Sequence, residues 1–354
     1  MSINTEITRL EAAKTALAAS ITGKGVTVPD GTKLDGMPAL VDSIQQGGGE
    51  DWQITDASRL FYKGARWDVK DKLLPHLTSI TGADSMFDLL GEAAIDPSEF
   101  DFSQVTTAGR MFAGCKGLKS IADIHLPQCE TTSTLFYGCT GLTTADTSNL
   151  FGAGKVVQGS SLFQGCSNLQ SVKVVGNFAS ATYMLGACTN LVSVDFSGLN
   201  FSGDVSVDSM FSSCPKLKSV DFSAVDMAGV KSANSMFAGC SEVEEIVSLA
   251  VPKCTRLSST FQIGTSTARK PLKRLTFQTI PGGYAVQAAF SIEYCSFARD
   301  GMVEMFSSLP DVTGAGLTAS RKKITITGNP CVTDGTLTDT DKAIATDKGW
   351  TLVI

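Results

Sequence analysis

The sequence contains few of the groups that most enzymes and nucleic-acid-binding proteins need. Its 354 residues include only two histidines, His76 and His125, and charged residues make up 18% of the chain, with a net charge of −6. A basic patch or stripe is the usual mark of a nucleic-acid partner, so this charge balance argues against one. No nucleophile elbow, zinc-protease motif or phosphate-binding loop occurs, and we expect no catalytic residues, no cofactor and no metal.

Long hydrophobic runs are also absent. No stretch of about 18 apolar residues occurs, so we predict no transmembrane helix and no membrane partner. The first residues, MSINTEITRLEAAK, do not resemble a secretory signal peptide. We therefore expect the ten cysteines to be reduced thiols made in a cytoplasm. No cysteine pair has CxxC spacing, and no Cys/His cluster has the spacing of a zinc site.

The cysteines instead mark an internal repeat. Nearly the same sequence, which we call the repeated phrase, begins at Met111 (MFAGCKGLKSI), Ser209 (SMFSSCPKLKSVDFS) and Ser235 (SMFAGCSEVEEIVS). Six cysteines share one frame, at spacings of 24, 27, 22, 26 and 26 residues: Cys115, Cys139, Cys166, Cys188, Cys214 and Cys240. A period of roughly 20–50 residues indicates a solenoid, in which stacked units bury a continuous core.

Within a repeat, the spacing of apolar residues predicts two elements. Met210, Cys214 and Leu217 lie at i, i+4 and i+7, as on one face of a short helix. Val220 and Phe222 follow with period two, as in a strand with one buried face. We therefore expect short helices stacked about 8–10 Å apart beside a long parallel sheet. The six cysteines would then form a buried core ladder, too widely spaced for disulfides, which need Cα atoms within about 7 Å.

These phrases resemble the leucine-rich repeats of BspA-like surface proteins. The match is clear over about residues 70–260, and SMFDLL at Ser85 and STFQIG at Ser259 extend the frame. The resemblance implies an α/β fold, a leucine-rich-repeat solenoid of parallel strands plus short helices. Familiar members of that family are secreted adhesins, so it also implies recognition of a surface.

The first residues have a different pattern. Apolar residues on a 4–3 spacing predict a short coiled-coil seam for oligomerisation: Ile3, Ile7, Leu10, Leu17 and Ile21. The alternative is an amphipathic helix folded on the solenoid. The helix followed by GVTVP resembles a module at the start of bacteriophage tail and other virion-associated proteins, where it joins a distal binding domain to the particle. That resemblance implies attachment to other virion proteins and a homotrimer.

The C-terminal sequence predicts a cap that closes the core. We expect strands near Leu272–Phe277, at Lys322–Thr327 and at Trp350–Ile354, and a helix around Met302. Another helix, from Asp339 to about Lys348, would begin with a capping box of Thr338 and Asp341 and end at Gly349. The expected domains are therefore 1–46 (attachment module), 47–69 (linker and N-terminal cap), 70–262 (repeats) and 263–354 (irregular repeats and cap).

One surface is a candidate binding face. Residues that alternate with the buried strand positions should point outward, and their central column contains Asp146, Lys173, Asp195 and Asp221. Asp195 and Asp221 share the spelling VDFS in adjacent repeats, so their carboxylates should lie about 4.8 Å apart. This hydroxyl-rich face could bind a polysaccharide. The alternative is an ordinary solvated sheet face.

Taken together, these features favour a non-enzymatic structural protein of a bacteriophage virion, of tail, baseplate or head-fibre type. It would be made in the host cytoplasm and released by lysis, and its repeats would bind a glycan or protein of the host cell surface. The alternative is a bacterial surface adhesin or a scaffold for protein–protein interaction.

Overall fold

The computed structural model describes residues 54–77, 79–254, 257, 260, 261, 263, 270–280 and 283–354. The chain divides into two compact units, one of Met1–Gln53 with Asp68–His76 and one of Ile54–Trp67 with Leu77–Ile354. We call the second the repeat domain. In the first unit, the described residues form the short helix α1 (Lys70–Leu73) and a 3-10 turn (Leu74–His76). The predicted N-terminal seam lies outside the described residues.

The repeated phrase forms a series of tight turns, so the predicted helix in each repeat is wrong. The N–H groups of Met111, Ala113 and Cys115 donate to carbonyls three residues earlier, at 3.2, 2.9 and 3.1 Å. An α-helix would reach four residues back. Arg110 and Gly114 adopt φ angles of 57° and 70°, in the left-handed region, which interrupts a right-handed helix.

The remaining N–H groups of the segment join one repeat to the next. Those of Arg110, Phe112 and Gly114 donate to carbonyls of the following repeat at 3.1, 3.0 and 2.6 Å. Equivalent bonds, which we call the turn ladder, recur from Ala57 to the bond between Phe237 and Thr260. Repeats therefore stack at a strand-like ~4.8 Å rather than the 8–10 Å of packed helices. The turn ladder begins at Ala57. We had expected the repeats to begin later, at residue 70.

Short parallel strands follow the turn segments. Their bounds are β1 (Thr144–Asp146), β2 (Val156–Gln158), β3 (Ser171–Ser180), β4 (Ser193–Phe201), β5 (Val205–Ser206), β6 (Ser219–Asp221), β7 (Val230–Ser232), β8 (Glu245–Leu249), β9 (Arg274–Phe277), β10 (Phe290–Ser291), β11 (Lys323–Thr325) and β12 (Thr351–Val353). Strand β3 pairs with β1, β2 and β4, and the other sheets are β5–β7, β6–β8–β9 and β10–β11–β12. The long sheet that we expected is thus, within the described residues, four short ones.

A stack of phenylalanine rings fills the core beneath the turn ladder. Successive ring centroids lie 5.5, 5.0, 5.7 and 5.3 Å apart in the series Phe61, Phe87, Phe112, Phe136 and Phe163. Leu185 takes the next position, and the stack resumes with Phe211 and Phe237, 5.4 Å apart. All of these side chains are fully buried, so each repeat contributes one large apolar group to a shared core.

The six cysteines of the repeat frame are buried and unbridged. Each Sγ donates to a backbone carbonyl of the preceding repeat at 3.0 to 3.2 Å, as Cys115 does to Phe87 and Cys139 to Phe112. Helix spacing is not what keeps them apart, because the described segments that carry these cysteines are turns. In-register parallel side chains instead hold their Cβ atoms about 4.8 Å apart, beyond the 3.5–4.5 Å of a disulfide. Burial also raises the pKa of Cys115 to about 12.

The helices and strands predicted for the C-terminal sequence are confirmed. Helix α2 spans Arg299–Ser308, α3 spans Pro330–Thr333 and α4 spans Asp339–Thr346. Both bonds of the capping box between Thr338 and Asp341 are present. Gly349 has a φ of 86°, which suits the residue after a helix end. Among the described residues, 3-10 turns also occur at Tyr62–Gly64, Trp67–Val69, Pro97–Glu99 and Ala319–Arg321.

Candidate interaction surface

The predicted strand face brings three of its four named residues together. Lys173 of β3 lies in register with Asp146 of β1 on one side and Asp195 of β4 on the other. Asp221 belongs to a different sheet, where its partner in register is Val247. A lysine thus separates two carboxylates, and Asp195 and Asp221 are not partners in register.

The carboxylates of this column hold turns at the ends of their strands. Oδ1 of Asp146 accepts from the N–H of Ser148 at 2.8 Å, and Asp195 and Asp221 bind the N–H two residues on at 2.9 and 2.8 Å. The hydroxyl and then the N–H of Ser148 lower the pKa of Asp146, and the N–H and then the hydroxyl of Ser197 lower the pKa of Asp195. In both cases these bonds have a larger effect than the charge of Lys173. An aspartate whose carboxylate accepts from the N–H two residues later commonly forms a turn. The sequence VDFS therefore has a structural explanation.

A shallow groove lies at one end of the same face. Its volume is about 320 Å³, and its lining includes Asp146 of the predicted column together with Ser120, Ala122, Thr144 and Ser148. The lining offers hydroxyls and one carboxylate but no aromatic ring, so it lacks the stacking platform that a sugar ring would use.

Aromatic and cationic side chains gather on a different surface, along the first four units of the turn ladder. We call it the turn-face patch, and its members are Arg59, Tyr62, Lys63, Leu89, Arg110 and Tyr137. Leu89 is 45% exposed and Tyr137 is 41% exposed. The phenylalanines of the same segments are, by contrast, fully buried.

Tyr62 anchors one end of the turn-face patch. The guanidinium carbon of Arg59 lies 4.6 Å from the centre of its ring, and Nζ of Lys63 lies 5.3 Å from it. Both distances are within the range of cation–π attraction. Arg59 and Lys63 have φ angles of 60° and 53°, so left-handed backbone on either side of the apolar pair turns both cations outward beside the ring.

Arg110 is held in place by a buried carboxylate. Its Nε and Nη2 donate to Oδ2 and Oδ1 of Asp88 at 3.0 and 3.2 Å. Asp88 is only 4% exposed at its side chain, whereas Arg110 is 47% exposed. The bond to Asp88 raises the pKa of Arg110. The guanidinium is therefore fixed by a two-point contact while its other N–H groups face outward.

Leu89 and Tyr137 complete the apolar part of the patch. Gly114 leaves room for Leu89, since a Cβ at this glycine would lie 2.7 Å from Cδ2 of Leu89. The N–H of Gly114 donates in turn to the carbonyl of Tyr137 at 2.6 Å. The turn ladder thus sets the spacing of these side chains.

Sequence reasoning missed the turn-face patch because it treated the phrase as a helix and followed only the strand columns. A signal was present: Arg59 and Arg110 occupy the position before the apolar pair, and Tyr62 and Tyr137 the position after it. Only a structure in which equivalent positions stack every ~4.8 Å makes residues about 25 apart into neighbours.

Elsewhere the described residues offer few reactive groups. Nδ1 of His125 lies 3.1 Å from the carbonyl oxygen of Asn149. Within the described part of the chain, no three His, Cys, Asp or Glu side chains are grouped so that they could hold a metal ion. A search of the same residues finds no helix with the length and hydropathy to cross a bilayer.

Known proteins resemble the repeats. Residues 98–204 match the BspA-type leucine-rich repeat region, in six copies, and residues 173–274 match a Mycoplasma protein of unknown function. No curated protein matches the chain. An internalin from Listeria monocytogenes aligns at 9% identity over 73% of this chain and 76% of that chain, with a TM-score of 0.24. A leucine-rich-repeat protein from Leptospira interrogans aligns at 12% identity over 80% and 79%, with a TM-score of 0.26.

Proposed function

We propose that the chain is a non-enzymatic recognition protein whose repeat domain binds a component of a cell surface. The turn-face patch is the observation that carries this proposal. Tyrosine and arginine are the residues that most often dominate binding energy at protein interfaces. Here they stand on backbone that is bonded to the following repeat, as from Arg59 to Asp84 and from Arg110 to Ser133, so little conformational entropy is lost when a partner binds.

Binding of the labelled full chain to intact bacterial cells tests this function. Wild type should bind saturably, and Tyr62→Ser with Tyr137→Ser should bind at least about tenfold more weakly, since each aromatic anchor is worth a kcal/mol or more. A variant of the other candidate face, Asp146→Asn with Asp195→Asn, should bind like wild type. Absence of saturable binding to any cell type would refute the function, and loss only in the second variant would move the site to the strand face.

We further propose that the protein is carried on a bacteriophage particle as a tail, baseplate or head fibre, attached through residues 1–46. The support is the sequence resemblance of that segment to virion attachment modules, together with repeats suited to recognition. The full chain should then co-sediment with particles purified from a lysate. If it is instead found on the surface of the producing bacterium, it is an adhesin of that cell.

A further inference from the structure

We propose that the turn-face patch binds an acidic segment of a protein partner. This inference deepens the function proposed above and depends on it. The members of the patch carry a charge opposite to that of the chain: they include three cations, Arg59, Lys63 and Arg110, whereas the chain carries a net charge of −6. Arg110 is paired with Asp88, and the carboxylates of Asp56 and Asp84 accept from the N–H groups of Ser58 and Gly109. A local positive field attracts an anionic ligand.

The apolar members of the patch favour a polypeptide over a glycan. Leu89 is 45% exposed, and an aliphatic side chain suits an apolar side chain better than a sugar hydroxyl. The Tyr62 ring already attracts Arg59, at 4.6 Å, and Lys63, at 5.3 Å, so this ring is not a free stacking platform. Both carboxylate oxygens of Asp88, beside the patch, already accept from Arg110.

Spacing along the turn ladder limits the length of the segment. Tyr62 and Tyr137 occupy equivalent positions three steps apart, through Asp88 and Ala113, as the bonds from Lys63, Leu89 and Gly114 show. Three steps of ~4.8 Å place the two tyrosines ~14 Å apart. An extended peptide advances about 3.3 Å per residue, so four to five residues span the patch. The expected ligand has acidic residues that face Arg59, Lys63 and Arg110, and apolar residues that face Leu89 and Tyr137.

A defined polymer tests the inference without knowledge of the natural partner. The probe is a fluorescent random copolymer of glutamate and tyrosine, titrated with the full chain, and its comparison is polygalacturonate, an anionic glycan. The patch variant is Arg59→Gln with Lys63→Gln. Lys231→Gln with Lys323→Gln removes the same charge from exposed lysines elsewhere in the repeat domain and serves as the matched control.

The copolymer should bind with an affinity that falls as salt is raised, because part of the attraction is Coulombic. The patch variant should lose at least about tenfold in affinity, and the control less than about twofold. Tyr137→Ser in the wild-type background should also lower the affinity for the copolymer, a loss that a purely ionic contact would not predict.

Three outcomes would overturn the inference: no binding of the copolymer, equal losses in the patch and control variants, or tighter binding of polygalacturonate. The copolymer should also compete with the binding of wild type to cells. If cells are bound but the copolymer does not compete, the acidic-peptide inference fails and the recognition function survives. If cells are not bound at all, the proposed function itself fails.

Discussion

Gly117 and Gly141 lie where adjacent repeats approach each other most closely. A Cβ on Gly117 would lie 2.0 Å from the carbonyl oxygen of Ala93, and one on Gly141 would lie 2.2 Å from that of Lys116. Neither contact can be relieved by a side-chain rotation, because backbone atoms are involved. These positions therefore require glycine for space, not for a special backbone angle.

Replacing Gly117 or Gly141 by alanine should lower the free energy of unfolding by at least about 2 kcal/mol, the usual cost of overpacking without a route to relax. Denaturant unfolding measures this loss. Gly314→Ala is the control, because nothing lies within 4 Å of the added Cβ. Equal stabilities of the Gly117 and Gly314 variants would show that the repeats can separate at little cost.

Asp341 makes part of the stability depend on pH. Nε and Nη2 of Arg299 donate to its carboxylate at 2.9 and 2.7 Å, and the hydroxyl of Thr338 donates at 2.7 Å. Arg299 first, and then Thr338, lower the pKa of Asp341 to about 2. In the unfolded chain the pKa is about 3.9. The carboxylate therefore stabilises the fold above about pH 4, and this contribution is lost as the pH falls towards 2.

The variant Asp341→Asn should unfold at a lower urea concentration than wild type at pH 7, and the gap should narrow between about pH 4 and 2. Urea titrations across that range measure the gap. Asp339 lies two residues before Asp341, and its carboxylate is fully exposed to solvent. The variant Asp339→Asn should therefore unfold at nearly the same urea concentration as wild type throughout this pH range. A gap for Asp341→Asn that stays constant down to pH 2 would contradict the role of the ionised carboxyl.

At the scale of elements, the phenylalanine stack couples each turn segment to its neighbours. Phe136 is fully buried between Phe112 and Phe163, with centroids 5.7 and 5.3 Å away. Phe136→Ala should therefore destabilise the repeat domain by about 3–5 kcal/mol, through lost burial and the cavity left behind. Tyr137→Ala is the control for the next residue, which is 41% exposed and should cost less than about 1 kcal/mol. Similar losses measured by denaturant unfolding would mean that the stack is not the core of these segments.

The sequence predicted the period, the buried positions and the C-terminal cap, because each depends on local spacing. Met111, Cys115 and Leu118 are fully buried, as their i, i+4, i+7 pattern required. The same pattern also led us to predict a helix, which was wrong. A series of turns places apolar side chains on one side of the segment just as a helix does. The glycines at positions such as Gly114 and Gly138, with φ of 70° and 67°, were the sign that the backbone was left-handed there.

The candidate site was predicted only in part, for a related reason. Asp146, Lys173 and Asp195 do lie in one outward column, because strand alternation fixes which side chains point outward. Their use in turns could be seen only once the bond from the N–H of Ser197 to the carboxylate of Asp195 was known. The turn-face patch depends on stacking between repeats, and a single repeat does not contain that information.

At the scale of the whole molecule, assembly is expected to depend on residues 1–46. The repeat domain has its own continuous core, so deletion of these residues should leave a folded monomer, whereas the full chain should be a trimer. Light scattering measures the two masses. The full chain with Ile7→Asp and Leu17→Asp should behave like the deletion, because charge at a coiled-coil seam opposes association. A deletion variant that remains trimeric would place the oligomer contact in the repeat domain.

The turn ladder also bears on how such a chain changes over generations. Each repeat donates through equivalent N–H groups, as Phe112 and Phe136 do, and accepts through equivalent carbonyls. An extra copy of one whole repeat would therefore receive and pass on the same bonds. Gene segments of nearly identical sequence undergo unequal recombination. Each such event would add or remove one repeat, which lengthens or shortens the stack by ~4.8 Å. Descendants can thus differ in their number of repeats while every junction keeps its bonding.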